Sequence, residues 1–213
     1  MPDSSPPLNA PREVLEKVAR EYERTLVIPE HKPSPQWMLM PVGLIGSGKT
    51  TVVKPLVEHF GLIRISTDEV RERLKKHGYS FEGAREIAHG VTEKYLDLGY
   101  SIAVDANTGS VKGFEFNKKT REAFPRVRQL FIHINTPEAF IISNLKNRHK
   151  PWIFRDADHA IEQFHFHKNN FTLPGLPFVY TFNLSRGDLP AQLTEGIAVI
   201  EDALRHGVVE QET

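Results

Sequence analysis

Gly43-Leu44-Ile45-Gly46-Ser47-Gly48-Lys49-Thr50-Thr51 is the stretch on which the reading of this chain turns. It fits Gly-x4-Gly-Lys-[Ser/Thr], the spacing of a phosphate-binding loop. Gly43, Gly46 and Gly48, with Ser47 in the same turn, let successive backbone N–H groups curl around a phosphate with no Cβ in the way. Lys49 brings a compact positive charge to the β- and γ-phosphates. The Thr50 hydroxyl is suited to coordinate Mg²⁺. From Thr51 onward, Val52, Val53, Leu56, Val57 and Phe60 recur at helical spacing. A helix N-terminus therefore aims its partial positive charge at the phosphates. Pro55 is expected to kink or locally unpair that helix about one turn in.

Composition narrows the setting. At 213 residues the chain suits one α/β domain with room for a sizeable core. Lys+Arg and Asp+Glu balance at 27 each, so the whole-molecule field draws it to neither nucleic acid nor membrane. With no cysteine, disulfides, thiolate zinc sites and cysteine nucleophiles are excluded. The sequence holds neither a transmembrane-length apolar run nor a signal-peptide core, and the expected location is cytoplasmic.

Working outward, Met1–Ala10 reads as a disordered leader and Arg12 to Leu26 as a docking helix opened by Pro11. Val27–Gln36, with three prolines, reads as a linker or wrap-around. Strands are expected at Trp37–Gly43, Leu62–Ile65, Tyr100–Val104, Val127–Ile134 and Phe178–Leu184. Pro41 conflicts with a central strand, so it either ends that strand early or faces a gap in the ladder. Helices fall between the strands: Thr67–His77 from a Ser66/Glu69 capping box, Glu82–Leu98, a short one at Lys118–Phe124, one from Thr136-Pro137-Glu138 to Arg148, and Leu189–Arg205. Asn107–Gly113 reads as loop. Strands alternating with helices predict a three-layer α/β/α fold with a mostly parallel, five-stranded sheet.

A phosphate loop alone does not separate an ATPase, a GTPase and a kinase. Asp68 and Arg71, three residues apart, share one face of the helix that follows the second strand. Neighbouring strands of a parallel sheet open onto one crevice, so this pair faces the γ-phosphate. A carboxylate there accepts a proton from an attacking hydroxyl, and Arg71 holds an anionic group of the acceptor. On residue type alone Asp68 equally suits a helix-dipole charge, and Arg71 an exposed ion pair with it. Asp105, ending Ile102-Ala103-Val104, is placed to hold Mg²⁺ or its water shell; a turn former is the other reading. Asn107 and Thr108 either extend the polar lining or serve the turn.

These three motifs, Gly43–Thr51, Ile65-Ser66-Thr67-Asp68-Glu69-Val70-Arg71 and Val104-Asp105-Ala106-Asn107, resemble the P-loop kinase family that includes polynucleotide 5′-kinases and zeta-toxin-like kinases. The resemblance runs from Trp37 to Leu204. It implies a nucleotide-kinase-like P-loop NTPase fold, Asp68 as the base that activates the acceptor hydroxyl, and Arg71 as the ligand of the acceptor's phosphate. It also implies a helical lid over 148–175 whose arginines clamp the transferring phosphate, with Arg148 first and Arg155 or Arg121 as further candidates. A helix-terminal cation compensating the dipole also accounts for Arg148. The lid here is aromatic and His-rich, a departure from the family. Its Trp152, Phe154, Phe164 and Phe166 read as packing or as stacking surfaces, and His159, His165 and His167 lack a metal-site spacing. Ser185-Arg186-Gly187-Asp188 lies where relatives contact adenine.

The expected organisation is a leader and docking helix over 1–34, a kinase-type domain over 35–207 and a tail over 208–213. The expected function is Mg²⁺-assisted transfer of the ATP γ-phosphate to a hydroxyl of a small molecule, nucleotide or polynucleotide, the last disfavoured by the neutral charge. The alternative is an ATP-binding regulatory or interaction module, or an ATPase without an acceptor. A guanine-reading Asn-Lys-x-Asp run is absent from the sequence.

Overall fold

β1 (Trp37–Val42) is buried along its whole length because its two faces feed two different cores. Met38, Met40 and Val42 point into one apolar cluster, and Trp37 and Leu39 into another on the opposite side of the sheet. This period-2 partition of an uninterrupted apolar run marks a central strand of a sheet covered on both faces. The computed structural model of the chain describes residues 8–106, 110–148, 153–171 and 175–206, with Val111 and Arg148 in backbone only.

Five strands form one sheet in the order β2-β3-β1-β4-β5, where β2 is Ile63–Ser66, β3 Ile102–Asp105, β4 Arg128–Ile134 and β5 Phe178–Phe182. Every pairing is parallel, so the expectation of a mostly parallel sheet is sharpened to an entirely parallel one. On one face lie α1 (Arg12–Glu23), α3 (Thr67–Lys76), α4 (Ala84–Asp97) and α5 (Val111–Ala123). On the other lie α2 (Lys49–Phe60) and α8 (Leu189–His206). α6 (Glu138–Arg148) and α7 (Ala157–Asn169) pack on each other around Ile141, Leu145, Phe154, Ala160 and Phe164, a small core of their own.

Pro41 is accommodated by the second of the two routes open to it. The Trp37 N–H points to the β3 side, where it meets the Ser101 hydroxyl at 3.0 Å, so alternate residues 39 and 41 face that side too. The β1–β3 register extends only over Met38 and Leu39, whereas β1–β4 pairing continues to Val42. The missing N–H of Pro41 thus falls where β1 and β3 have parted. α2 runs unbroken through Pro55; the carbonyl that loses its partner belongs to Thr51, an exposed residue that water can reach.

Several expectations change. Ser66 and Glu69 form no capping box, because Glu69 is taken by an ion pair with Arg64. α5 is a full helix beginning at Val111, since the Ser110 hydroxyl caps the Gly113 N–H at 3.2 Å. The loop expected over Asn107–Gly113 therefore gives way to helix from Val111, and the helix expected only from Lys118 is longer. α7 arises inside the lid from an Asp156 N-cap that accepts from the His159 N–H at 2.7 Å. Thr136 does not cap α6; its hydroxyl donates instead to the Ser47 carbonyl at 2.9 Å. Of the leader, residues 1–7 lie outside the described residues, while Leu8 and Asn9 are hydrogen-bonded to Ser80. The proline-rich segment wraps across the end of α4, with Lys32 donating to the Leu98 carbonyl and Gln36 to those of Leu96 and Tyr100.

α1 is part of the main core. Val18 and Tyr22 are fully buried against α3 and α4, and the Tyr22 hydroxyl accepts the Ser66 N–H at 2.6 Å. Burial pushes the Tyr22 phenol up to about 12, so it stays neutral. Tyr22→Phe strands that buried N–H and is expected to cost about 1–3 kcal/mol. A lower urea midpoint with an unchanged m-value measures the loss; an unshifted midpoint would show that the contact contributes nothing.

Candidate active site

The carboxyl ends of β1, β2 and β3 open onto one cavity of about 590 Å³, closed from the β4 side by α6 and α7. Gly46, Gly48, Lys49, Thr50, Thr51, Asp68, Arg71 and Asp105 all line it. Of the residues expected in the loop, Gly43 and Ser47 stand behind this lining. A Cβ on Gly43 would come within 2.8 Å of Ser47 Oγ and 2.9 Å of the Ile134 carbonyl oxygen, so only glycine lets the loop turn this close to β4. Gly48 is the α2 N-cap at φ +96°, a backbone region that favours glycine.

Within the loop, Lys49 Nζ donates to the carbonyls of Gly43 and Leu44 at 2.9 and 2.8 Å. Its ammonium is therefore folded across the loop's own mouth. Thr50 Oγ1 donates to Asp105 Oδ1 at 3.0 Å, which brings a helix-terminal hydroxyl and a strand-end carboxylate together. Two oxygen ligands of this kind beside a phosphate loop suit Mg²⁺, which prefers few protein oxygens and completes its shell with phosphate and water. The other Asp105 oxygen is held by Arg64 Nη1 at 2.6 Å, and Arg64 also pairs with Glu69. Burial works against the Arg64 charge, but Glu69 and Asp105 more than offset it and hold its pKa above the ordinary guanidinium value.

Asp68 and Arg71 lie on the first and second turns of α3, with Arg71 Nη1 donating to Asp68 Oδ1 at 3.1 Å. The pair expected from sequence is thus formed, and it faces the cavity. α4 adds residues that carry no local signal in the sequence: Arg85, Ala88, His89 and Thr92, which share one helical face. His89 stacks on Phe116 of α5, ring centroids 3.8 Å apart and planes 14° from parallel. Burial first, then Arg85 and Lys119, pushes its pKa down to about 4, so it is neutral at physiological pH.

The described part of the lid brings no arginine to the cavity. Arg155 is exposed and away from the cavity, as is Arg121, while the side chain of Arg148, together with Asn107, Thr108 and Trp152, lies outside the described residues. The groups that α7 presents to the cavity are His159, Gln163 and His167, spaced four apart. His159 Nδ1 accepts the Arg155 N–H at 3.1 Å, so a neutral His159 carries its proton on Nε2. His165 sits on the other side of α7, 3.9 Å from Glu138, so the three histidines do not converge. Phe154 and Phe164 are buried in the lid core and Phe166 is exposed. The Ser185–Asp188 turn does not line the cavity; it is held by Asn183 and Gln192, while Leu184 packs over Gly48.

Residues 38–168 match the AAA domain family. Among solved structures, a putative kinase of Chloroflexus aurantiacus superposes with a TM-score of 0.62 at 15% identity, covering 76% of this chain and 97% of that one. A gluconokinase of Sinorhizobium meliloti gives 0.55 at 16% identity, covering 82% and 96%. The Mycobacterium tuberculosis APS kinase, in complex with AMPPNP and APS, gives 0.54 at 17% identity, covering 79% and 99%. At these identities the likeness establishes a P-loop kinase-like α/β fold. No match was found among curated proteins.

His167 reports on the cavity's field. Burial lowers its pKa, and then Arg71 and Lys49 lower it further, so His167 feels both cations. Removing a neighbouring positive charge favours the imidazolium. Arg71→Met is therefore expected to raise the His167 pKa, read by an NMR pH titration of its ring. A titration at or below the parent's would contradict this placement.

Proposed function

This chain belongs to the AAA domain family, and on that premise we propose that it is an ATP-dependent kinase that transfers the γ-phosphoryl group to the hydroxyl of a small-molecule acceptor. The observation that carries this reading is the convergence of the phosphate loop, the Thr50–Asp105 pair and the Asp68–Arg71 pair on one cavity. An ATPase needs the first two; a carboxylate–guanidinium pair one strand away has a use when a second substrate is held. The resemblance of that pair to polynucleotide 5′-kinases and zeta-toxin-like kinases supports a hydroxyl acceptor.

In this reading the loop N–H groups and the α2 N-terminus bind the β- and γ-phosphates. Lys49 leaves the Gly43 and Leu44 carbonyls to meet them. Mg²⁺, held through Thr50 and Asp105, supplies charge neutralisation on the phosphates. Arg64 fixes Asp105 so that Oδ1 stays turned towards Thr50. Asp68 takes the acceptor's proton as its oxygen attacks, and Arg71 orients the acceptor. The lid, with Arg148 as its proposed clamp, excludes water from the transfer. Dependence on ATP fits a cytoplasmic location, and no described helix is long and apolar enough to cross a membrane.

Asp68→Asn is expected to lower acceptor-dependent ADP formation by about 10²–10⁴-fold, the span of general-base catalysis, while Mg·ATP still raises the melting temperature as in the parent. Transfer at the parental rate would remove Asp68 from the role of base. Lys49→Ala is expected to shrink the Mg·ATP melting shift itself; an unchanged shift would count against the loop as the nucleotide site. A parent that is stabilised by ATP yet releases no ADP with any hydroxyl acceptor would favour a binding module.

A further inference from the structure

The segment that leads from α3 into α4 carries Phe81 to the edge of the cavity, where its ring lines the wall and remains 37% exposed. A connecting segment that presents a large apolar ring has to be held. Fixing its backbone costs entropy, and water favours folding the ring away. α3 follows β2, the strand at the edge of the sheet, and α4 packs on it, whereas the nucleotide loop follows central β1. In the kinase reading Phe81 therefore stands at the acceptor end, in the same lining as Asp68 and Arg71.

The hold on this segment comes from the N-terminal residues. The Leu8 carbonyl accepts the Ser80 N–H at 3.0 Å, and Asn9 Oδ1 accepts the Ser80 hydroxyl at 2.8 Å. The Ser80 oxygen in turn accepts the Glu82 N–H at 3.3 Å. The two neighbours of Phe81 are thus joined through one hydroxyl, and Asn9 orients it. From behind, Leu15 of α1 packs on Gly83, the α4 N-cap at φ +87°, so closely that a Cβ there would come within 2.7 Å of Leu15 Cδ2. α1 is anchored to both flanking helices, with Glu21 bonded to His77 at the end of α3 and Glu23 paired with Lys94 of α4. All these N-terminal residues precede the 38–168 stretch that matches the family. The setting of Phe81 is therefore not fixed by the family domain alone.

We propose that Asn9 is a positioning residue for Phe81, and that Phe81 is the apolar wall that sets how wide the acceptor end opens. The word acceptor rests on the kinase reading; the hold of Asn9 on Phe81 does not.

The sequence has no cysteine, so a single introduced thiol reports on its own site. The test measures the rate at which the Phe81→Cys thiol reacts with DTNB in the full chain saturated with Mg²⁺ and AMPPNP. Adding Asn9→Ala is expected to speed that reaction about 2–10-fold, the worth of one hydrogen bond. Ser80→Ala is expected to do the same, and the two together to do no more than either, because they break one shared contact. A reference thiol from Ala203→Cys, on α8 across the sheet, is expected to keep its rate. An unchanged Phe81→Cys rate overturns the proposal, and so does an equal rise at both thiols, which would mean a general loosening of the fold. With Phe81 intact, ADP release is then read with glycerol, glucose and adenosine as hydroxyl acceptors of rising size. Asn9→Ala is expected to raise the KM of the acceptor used and to leave kcat and the KM for ATP at parental values. ADP formed at an acceptor KM that ignores Asn9 sinks the role in specificity and leaves the kinase standing. A thiol released by Asn9→Ala with no ADP from any of the three goes against the kinase reading and leaves the positioning of Phe81.

Discussion

The close approach of the loop after β1 to the end of β4 fixes the geometry of everything around the cavity. Gly43 lies so near Ile134 that no side chain fits between them, and the Thr136 hydroxyl ties the Ser47 carbonyl to the same segment. The loop therefore cannot relax outward, and the N-terminus of α2 is aimed by the sheet itself. The parting of β1 from β3 after Leu39 complements this. It makes Pro41 tolerable and opens the space that Thr50 and Asp105 share. A residue that looks like a flaw in a strand is, in place, part of how the crevice opens.

The other wall is organised by buried polar ties rather than by a loop. Arg64 joins Asp105 at the end of β3 to Glu69 at the start of α3, and Tyr22 of α1 accepts the Ser66 N–H between them. A partly buried ion pair is costly to break, because a partner left alone is a poorly solvated, uncompensated charge. This ties the Asp105 carboxylate and the Asp68 helix into one unit, so the two halves of the cavity hold their separation. The N-terminal helix enters the site's architecture through one phenol, well away from the loop in sequence.

How far the sequence carried depends on whether the signal was local. The loop is legible because its chemistry is written in consecutive residues, and the strand–helix alternation because buried faces impose a period on the chain. Asp68 and Arg71 were found from a spacing of three on one helix. Arg85 was not, because nothing in Gly83-Ala84-Arg85-Glu86 distinguishes it from a solvated helical arginine until α4 is packed beside α3. The Ser66/Glu69 capping box failed for a related reason. Its local geometry was sound, but a cation two strand residues earlier, Arg64, offered Glu69 a stronger partner. The His159, Gln163 and His167 face of α7 on the cavity was not legible either, because a spacing of four acquires a direction only once α7 is packed against α6.

Charge balance sharpens what can bind. The chain carries 27 basic and 27 acidic residues, which gives no long-range pull on a polyanion. Inside the cavity the balance is different. Asp105 is paired with Arg64 and Asp68 with Arg71, Lys49 donates to the Gly43 and Leu44 carbonyls, and Glu115 is the carboxylate that supports the Arg85 charge. Over the described lining, Lys49, Arg71 and Arg85 stand against Asp68 and Asp105, a surplus of one positive charge between low-dielectric walls, where it acts more strongly than on the surface. Such a field suits a compact anion that fits wholly inside, as the proposed kinase reading requires of a nucleotide triphosphate. A polynucleotide needs neutralisation along a track outside the cavity, and nothing in the overall charge provides one.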